Sequence, residues 1–168
     1  SHYGVAKTSS ELYLGVYQAN YGIPYAALRY ANVYGPRQDP HGEAGVVAIF
    51  SGRLLEGRPC TIYGDGGQTR DYVFVGDVAR ANVLAAEKGF AGALNVGTGV
   101  ETDVNRLYAL MARAAGVDVP PSHAPARPGE QRRSCIDPSA AAAALGWRPE
   151  VPLEDGLRRT IDFFRARR

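Results

Sequence analysis

The chain has 168 residues, of which 45% are hydrophobic and 21% are charged, and its formal net charge is +2 at pH 7. This length suits one domain with a sizeable core, and the composition is ordinary for a globular protein. The small net charge argues against a protein held on nucleic acid by a strong positive field. No apolar run approaches the roughly 18 residues that cross a membrane, and no signal-peptide pattern opens the sequence.

The possible metal-ligating residues are few and scattered. Cys60 and Cys135 are the only cysteines, and we expect free thiols in a reducing, cytoplasmic compartment, with a single disulfide as the open alternative. The three histidines, His2, His41 and His123, have no partners at metal-type spacing. The sequence therefore predicts no metal site.

The first predicted element is a helix over residues 3–21, which carries Tyr3 and Lys7 four residues apart. Residues at this spacing share one face of a helix, about one turn apart. A phenol and an ammonium group would then be close enough to act on one substrate atom. Taken alone, the pair is also typical of an exposed helix start with no catalytic role.

A short strand is predicted next, over residues 25–30, because Gly22 and Pro24 end the helix and a mostly apolar run follows. Its composition indicates the buried, parallel kind. Residues 32–37 are predicted to form a turn-rich exit from this strand. The carboxyl end of a parallel strand is where α/β proteins bind their ligands.

Further along, helices and strands alternate after a polar loop at 41–45. Helices are predicted over 46–56, 77–88, 103–115, 138–145 and 153–167. Strands are predicted over 59–63, 71–75 and 93–96, with turns at 64–67 and 97–99 and an irregular connection over 120–128. The alternation predicts an α/β fold. Because the helix over 3–21 has no preceding strand to pack on, the chain is expected to be part of a larger fold.

Five separated blocks of the sequence resemble the extended short-chain dehydrogenase/reductase (NAD-dependent epimerase/dehydratase) family. They are Tyr3 with Lys7, and the blocks 28–38, 63–73, 95–99 and 127–130. Within that family, the segment 36–47 is most similar to the UDP-glucose 4-epimerase branch. The resemblance runs over essentially the whole chain.

The resemblance implies an NAD(P)-binding Rossmann-type fold with a small α/β substrate-binding domain. Residues of about 1–35 and 76–100 would hold the catalytic helix and the last Rossmann elements. Residues of about 36–75 and 101–168 would bind the nucleotide sugar. The family begins with a strand, a glycine-rich turn and a helix that bind the NAD pyrophosphate. No such pattern occurs here, so we expect the carboxyl-terminal half of such an enzyme, starting two residues before its catalytic tyrosine.

The resemblance also implies roles in catalysis and cofactor binding. Tyr3 would be the acid/base that removes a proton from a sugar hydroxyl as hydride leaves for NAD. Lys7 would bind the nicotinamide ribose and support Tyr3, and Tyr30 would line the nicotinamide site. The Gly97 and Gly99 pattern follows a late strand instead of opening the fold, so these residues are predicted to be turn glycines.

For substrate binding, the resemblance implies that Asn32, Arg70 and Arg127 hold the nucleotide diphosphate, for which an amide and two guanidinium groups are suited. Glu130 would accept hydrogen bonds from the uridine ribose, and Tyr63 would stack on uracil. The base edge would be bound by backbone groups near Val46 and Val47.

Four of these residues also have a structural alternative. Arg70 would form a surface ion pair with its neighbour Asp71, and Asn32 would only stabilise a turn. Tyr63 would belong to the core, and Glu130 would be a solvated charge.

The predicted function of the parent protein is NAD-dependent interconversion of UDP-sugars at C4 through a transient 4-keto sugar, with a homodimer as its expected assembly and with no nucleic-acid or membrane partner. Another nucleotide-sugar enzyme, a dehydratase or a decarboxylase, is the alternative within the family. The alternative of a different class is a non-catalytic nucleotide-sugar-binding fragment. The isolated chain is expected to be inactive, because it has no dinucleotide cradle.

Overall fold

The computed structural model describes residues 2–41 and 45–167. Its helices are α1 (His2–Tyr21), α2 (Val46–Leu55), α3 (Val75–Glu87), α4 (Val104–Ala115), α5 (Ser139–Leu145) and α6 (Leu153–Arg165). Its strands are β1 (Ala26–Tyr30), β2 (Asn32–Tyr34), β3 (Thr61–Tyr63), β4 (Thr69–Phe74), β5 (Gly92–Val96), β6 (Glu101–Asp103), β7 (Ser122–Ala124) and β8 (Arg133–Ser134). The predicted loop at 41–45 lies largely outside the described residues.

Three small sheets organise these strands. β1 pairs in parallel with β5, as expected for the two strands predicted at 25–30 and 93–96. β4 is the centre of a mixed sheet, because β2 and β8 run parallel to it and β6 runs antiparallel. β3 and β7 form a separate parallel pair.

Several short strands were not predicted from the sequence. β2 lies where a turn was expected, and β7 lies in the connection expected to be irregular. β6 and β8 are also new, and each has only two or three residues. Strands of this length carry almost no periodic signal, and their formation depends on pairing with distant residues.

Two hydrophobic clusters hold these elements together. The larger one lies between α2, α4, α6 and the aromatic face of β2 and β4, and it includes Phe50, Leu107 and Ile161. The smaller one lies between α3, α5 and β5 and includes Val96 and Trp147. The division of the chain into two sequence-based regions stays a prediction.

Helix α1 has no buried residue, in agreement with the expectation that its apolar face lacks a layer to pack on. Leu12, Tyr13 and Tyr17 are among its exposed side chains.

A bidentate ion pair connects this helix to β1: Arg29 donates to both carboxylate oxygens of Glu11, at 2.7 and 2.5 Å. This pair lowers the pKa of Glu11 below its ordinary value. Strand β1 is also more exposed than the buried strand predicted, since Ala27 is its one buried residue.

Asp71, in the middle of β4, joins that strand to the turn after β5. It is only 1% exposed, and its carboxylate accepts hydrogen bonds from the backbone N–H groups of Thr98 and Gly99 and from the Thr98 hydroxyl. A side chain at Gly97 would come within 2.5 Å of the same carboxylate. The 97–99 segment is thus a turn, as predicted from its glycines, and the structure shows that it surrounds a buried carboxylate.

Candidate functional site

A cleft of about 480 Å³ lies between α2, β3 and the edge of the β4 sheet. Its floor is the aromatic and aliphatic surface of the larger hydrophobic cluster, including Phe50, Ile62 and Tyr72. Its polar side chains come from chain segments up to about a hundred residues apart. They are Asn32, Arg53, Thr61, Tyr63, Gln68, Arg70, Tyr72, Arg127 and Glu130.

The cleft brings together most of the residues predicted to bind the substrate. They are Asn32, Val46, Tyr63, Arg70, Arg127 and Glu130. Val47 is not among the lining residues, because its side chain is buried in the larger hydrophobic cluster. A role for its backbone N–H in binding a base stays a prediction.

Arg127 and Glu130 reach the cleft from the two ends of a β-turn. The backbone N–H of Glu130 donates to the carbonyl of Arg127 at 3.2 Å, and Gly129 has a φ of 76°. Pro followed by Gly is the sequence preferred at the centre of a type II turn, since glycine accepts the positive φ. The Arg-Pro-Gly-Glu order therefore places a cation and an anion beside each other on one edge of the cleft.

The guanidinium of Arg127 lies over the ring of Tyr63, with its central carbon 3.9 Å from the ring centroid. This is a close cation–π contact. The backbone of Tyr63 is fixed in turn by Gln68, whose buried side-chain amide donates to the Tyr63 carbonyl at 3.1 Å. One face of the Tyr63 ring is thus covered by Arg127.

Arg70 is held by contacts that point it into the cleft. Its Nη1 donates to the carbonyls of Thr69 and Gln131 at 2.8 and 2.7 Å, and its Nη2 lies 3.5 Å from a carboxylate oxygen of Glu130. Its neighbour Asp71 is on the opposite face of β4, as the alternation along a strand requires. The alternative of a surface ion pair between Arg70 and Asp71 is therefore wrong.

The segment 125–132, which carries Arg127 and Glu130, is anchored to the strands by two ion pairs. Arg132 forms a bidentate pair with Asp65, at 2.7 and 2.9 Å, and holds the pKa of that carboxyl well below its usual range. Just beyond the segment, Arg133 pairs with Glu101. Hydrogen bonds from Arg133 and Thr69 lower the pKa of Glu101 to about 2.

The residues predicted for catalysis and for NAD lie outside this cleft. Tyr3 is 73% exposed, and the ammonium of Lys7 is 5.2 Å from the centroid of its ring, so the predicted pairing of the two side chains on one helix face is observed. Tyr30 is also exposed, and its hydroxyl donates to Asn82 at 2.9 Å. An exposed phenol beside a cation suits the hydroxyls of a ribose, whereas the chain's sequence has no glycine-rich cradle for a pyrophosphate.

Some cleft residues were missed at the sequence level, although patterns for three of them were present. Ile49 and Arg53 follow Val46 at helical spacing, and they share its face of α2. Tyr72 follows Arg70 by two residues in β4, and both line the cleft. Burial raises the pKa of Tyr72 to about 12, so its phenol stays neutral at physiological pH.

The charge of the cleft suits an anionic ligand. Of the described lining residues, Arg53, Arg70 and Arg127 are cationic and Glu130 is anionic, which leaves a positive balance. Guanidinium groups bind phosphate oxygens in a bidentate manner. Among the described residues, no group of three or more His, Cys, Asp or Glu side chains is arranged to hold a metal ion.

Comparisons with known proteins bear on the family and the fold of the chain. The model of the NAD dependent epimerase/dehydratase family matches residues 1–97. A UDP-glucose 4-epimerase of Mycolicibacterium smegmatis is 49% identical over 166 residues, which are 98% of this chain and 53% of that protein. The chain spans about half the length of the curated relatives it matches.

Two crystal structures show the same fold. A UDP-glucose 4-epimerase from Thermotoga maritima, solved with UDP-glucose, has a TM-score of 0.95 and 52% identity over 98% of this chain and 53% of that one. A UDP-glucose 4-epimerase from Thermus thermophilus, in complex with NAD, has a TM-score of 0.90 and 49% identity over 98% of this chain and 54% of that one. The α/β, Rossmann-like fold of this chain is therefore that of about half of each structure.

Proposed function

The chain belongs to the NAD dependent epimerase/dehydratase family, and from this we propose that its cleft binds a UDP-sugar. The full-length protein would be a UDP-sugar 4-epimerase of the UDP-glucose/UDP-galactose type. The observation that carries the proposal is the cleft itself, where Asn32, Arg70, Arg127 and Glu130 meet around a partly apolar floor. Relatives named UDP-glucose 4-epimerase are 44–49% identical to the chain, whereas relatives named dTDP-glucose 4,6-dehydratase are 30–35% identical, and this difference favours epimerisation over the dehydratase alternative.

In the proposed complex, Arg70 and Arg127 bind the diphosphate with Asn32 as an additional donor. Glu130 is acceptor-only when ionised, so it suits the hydroxyls of the ribose. Binding would exchange the contact between Arg70 and Glu130 for contacts with the ligand. The side chain of Tyr63 would then support both Arg127 and the base.

The chemistry that NAD supplies in such a reaction is temporary acceptance of a hydride from C4 of the sugar. Tyr3 would exchange the proton of the 4-hydroxyl, and Lys7 would hold the nicotinamide ribose beside it. Tyr30 would line the same side of the cofactor. The exposure of Tyr3 and its closeness to Lys7 support this assignment.

A second candidate is that the 168 residues by themselves form a nucleotide-sugar-binding unit without turnover. The observation in its favour is that the residues proposed to bind the nucleotide meet in one cleft of this chain, whereas its sequence has no glycine-rich cradle for the NAD pyrophosphate. We also propose a homodimer for the full-length protein, as the family resemblance implies. The free thiols of Cys60 and Cys135 support a cytoplasmic location.

The test combines binding with turnover. We expect UDP to bind to the 168-residue chain in calorimetry, and we expect conversion of UDP-glucose to UDP-galactose only by the full-length protein. Arg70→Met should weaken UDP binding by roughly 10-fold or more, because a charge-assisted hydrogen bond is lost. Arg58→Met is the matched control, since Arg58 pairs with Glu56 outside the cleft.

The outcomes separate the two candidates. Binding with turnover by the full-length protein alone supports both the epimerase proposal and an inactive isolated chain. Turnover by the 168 residues contradicts the second candidate. Absence of UDP binding to either protein contradicts the proposed use of the cleft.

A further inference from the structure

Arg53 contributes a guanidinium group to the cleft. The proposed function gives this group no role. It lies in the last turn of α2, and its Nη1 donates to the carbonyl of Pro59 at 3.1 Å. In the described part of the chain it has no carboxylate partner, in contrast to Arg70. A guanidinium has five N–H donors and no acceptor, so donors remain for a ligand.

Arg53 lies at the end of the cleft away from Arg70 and Arg127, the arginines proposed to bind the diphosphate. Along α2, the cleft-facing residues run from Val46 through Ile49 to Arg53, a rise of about 10 Å. Opposite them, Thr61 and Tyr63 line the cleft from β3, about 7 Å apart along the strand. The bond to Pro59, two residues before Thr61, holds the Arg53 guanidinium near the Thr61 end.

The two ends of the cleft differ in chemistry. Arg127 lies on Tyr63 and next to Glu130, at the end that suits the diphosphate and ribose. Between this end and Arg53 the cleft is apolar, with Ile49 of α2 on its wall and the buried Ile62 in its floor. A flat, partly apolar base fits against this surface, and its outer edge would then face Arg53 and Thr61.

We propose that Arg53 reads the outer edge of the nucleobase and selects a pyrimidine with a carbonyl at C4. This inference rests on the proposed nucleotide-sugar function and adds a specificity determinant to it. Because a guanidinium only donates, it bonds to a carbonyl oxygen and opposes the amino group of a 4-aminopyrimidine. The Thr61 hydroxyl lies 3.3 Å from the Ser122 hydroxyl, and because a hydroxyl can both donate and accept, a contact from Thr61 to the base would not make this choice. Uracil therefore fits the cleft and cytosine does not.

The experiment compares UDP with CDP, which share the ribose and the diphosphate. We expect the purified 168-residue chain to bind UDP more tightly than CDP in calorimetry. Arg53→Met should lower the affinity for UDP about 10-fold or more, the order expected for a charge-assisted hydrogen bond. The affinity for CDP should stay the same or rise, so the UDP/CDP ratio should fall towards one.

Two further variants keep the result interpretable. Arg53→Lys retains a cationic donor and should keep part of the preference for UDP, and it also serves if Arg53→Met folds poorly. Arg58→Met removes an arginine from the loop after α2 and should leave the ratio unchanged. The melting temperature of each variant shows whether the fold survives the loss of the contact with Pro59.

Each outcome decides between the possible roles of Arg53. An equal loss of UDP and CDP affinity in Arg53→Met means that Arg53 only supports the shape of the cleft, and it overturns the inference while the proposed function stands. A wild-type protein that binds UDP and CDP equally overturns it as well. A wild-type protein that binds neither contradicts the proposed function and the inference together.

Discussion

At the scale of single residues, the contact between Arg127 and Tyr63 shows how one side chain prepares another for binding. A guanidinium 3.9 Å from a ring centroid is restricted in its motion before any ligand arrives. Less conformational entropy is then lost when a phosphate binds. The same contact means that a base stacking on Tyr63 has to use the free face of the ring or displace Arg127.

A substitution at Tyr63 tests this residue-scale interpretation. Tyr63→Leu should weaken UDP binding roughly 2- to 30-fold, since a cation–π contact is worth about 0.5–2 kcal/mol. Tyr63→Phe keeps the ring and should have a much smaller effect. Calorimetry with UDP measures both. Equal losses in the two variants would mean that the hydroxyl matters and the ring does not.

Arg70 and Asp71 also illustrate what adjacent residues in a strand can do. The adjacent, opposite charges of Arg70 and Asp71 suggest an ion pair, but consecutive side chains in a strand point to opposite faces of the sheet. Arg70 enters the cleft, whereas the Asp71 carboxylate is buried and satisfied by the turn after β5. A buried carboxylate with three hydrogen-bond donors is stabilised without a cationic partner.

At the scale of elements, the segment 125–132 depends on the strands beside it. It has no regular secondary structure, and yet it carries two of the residues proposed to bind the ligand. β8 continues it along β4, and the pairs Asp65–Arg132 and Glu101–Arg133 anchor it there. The position of Arg127 therefore follows from contacts made by its neighbours in sequence.

Acid should weaken this anchoring in a defined pH window. The folded pKa of Glu101 is about 2, below its ordinary value of 4.5, so the unfolded chain binds the proton more readily. The stability from this group is thus fully present above about pH 4.5 and is lost as the pH falls through about 2. Glu101→Gln should lower the melting temperature at neutral pH and reduce its fall over this window, as measured by circular dichroism.

Glu87→Gln is a suitable control for this measurement. Glu87 is an exposed glutamate at the end of α3, away from the 125–132 segment. Its replacement should leave the acid profile close to that of the wild type. If Glu101→Gln and Glu87→Gln gave the same profile, the Arg133 pair would not contribute to acid stability.

At the scale of the whole molecule, α1 is the least integrated element. It has no buried residue, and its apolar side chains form an exposed surface that includes Leu12, Val16 and Tyr17. Exposed apolar patches of this kind mark surfaces that bind another protein or another part of the same protein. None of the helices in the described residues is long and apolar enough to cross a membrane.

Because of this surface, we expect the 168-residue chain to self-associate. Light scattering after size exclusion should show a mass that rises with concentration above 18.0 kDa. The double substitution Leu12→Gln and Tyr17→Gln should shift the chain towards the monomer, because it removes apolar area from the surface. Val83→Gln, at an exposed position on α3, is the control. A monomer at every concentration would contradict the expectation.

Much of the site could be predicted from the sequence because its motifs are local. The helical spacing of Tyr3 and Lys7 places them on one face, whereas the turn that brings Arg127 and Glu130 together was not predicted, although its Pro-Gly pair is typical of such a turn. The family resemblance is confirmed by the family model, and NAD is the cofactor named in that family. The roles of the individual site residues stay predictions.

Only the tertiary structure decided which of these residues share a cleft. Arg53 was not noticed in the sequence: its helical spacing from Val46 puts both residues on one face of α2, but only the fold shows that this face lines the cleft. The sheet around β4 was likewise hidden, since β6 and β8 are too short to show a period and form through pairing with residues thirty or more positions away. Sequence by itself determined the local geometry and the family, whereas the cleft depends on long-range packing that no single segment encodes.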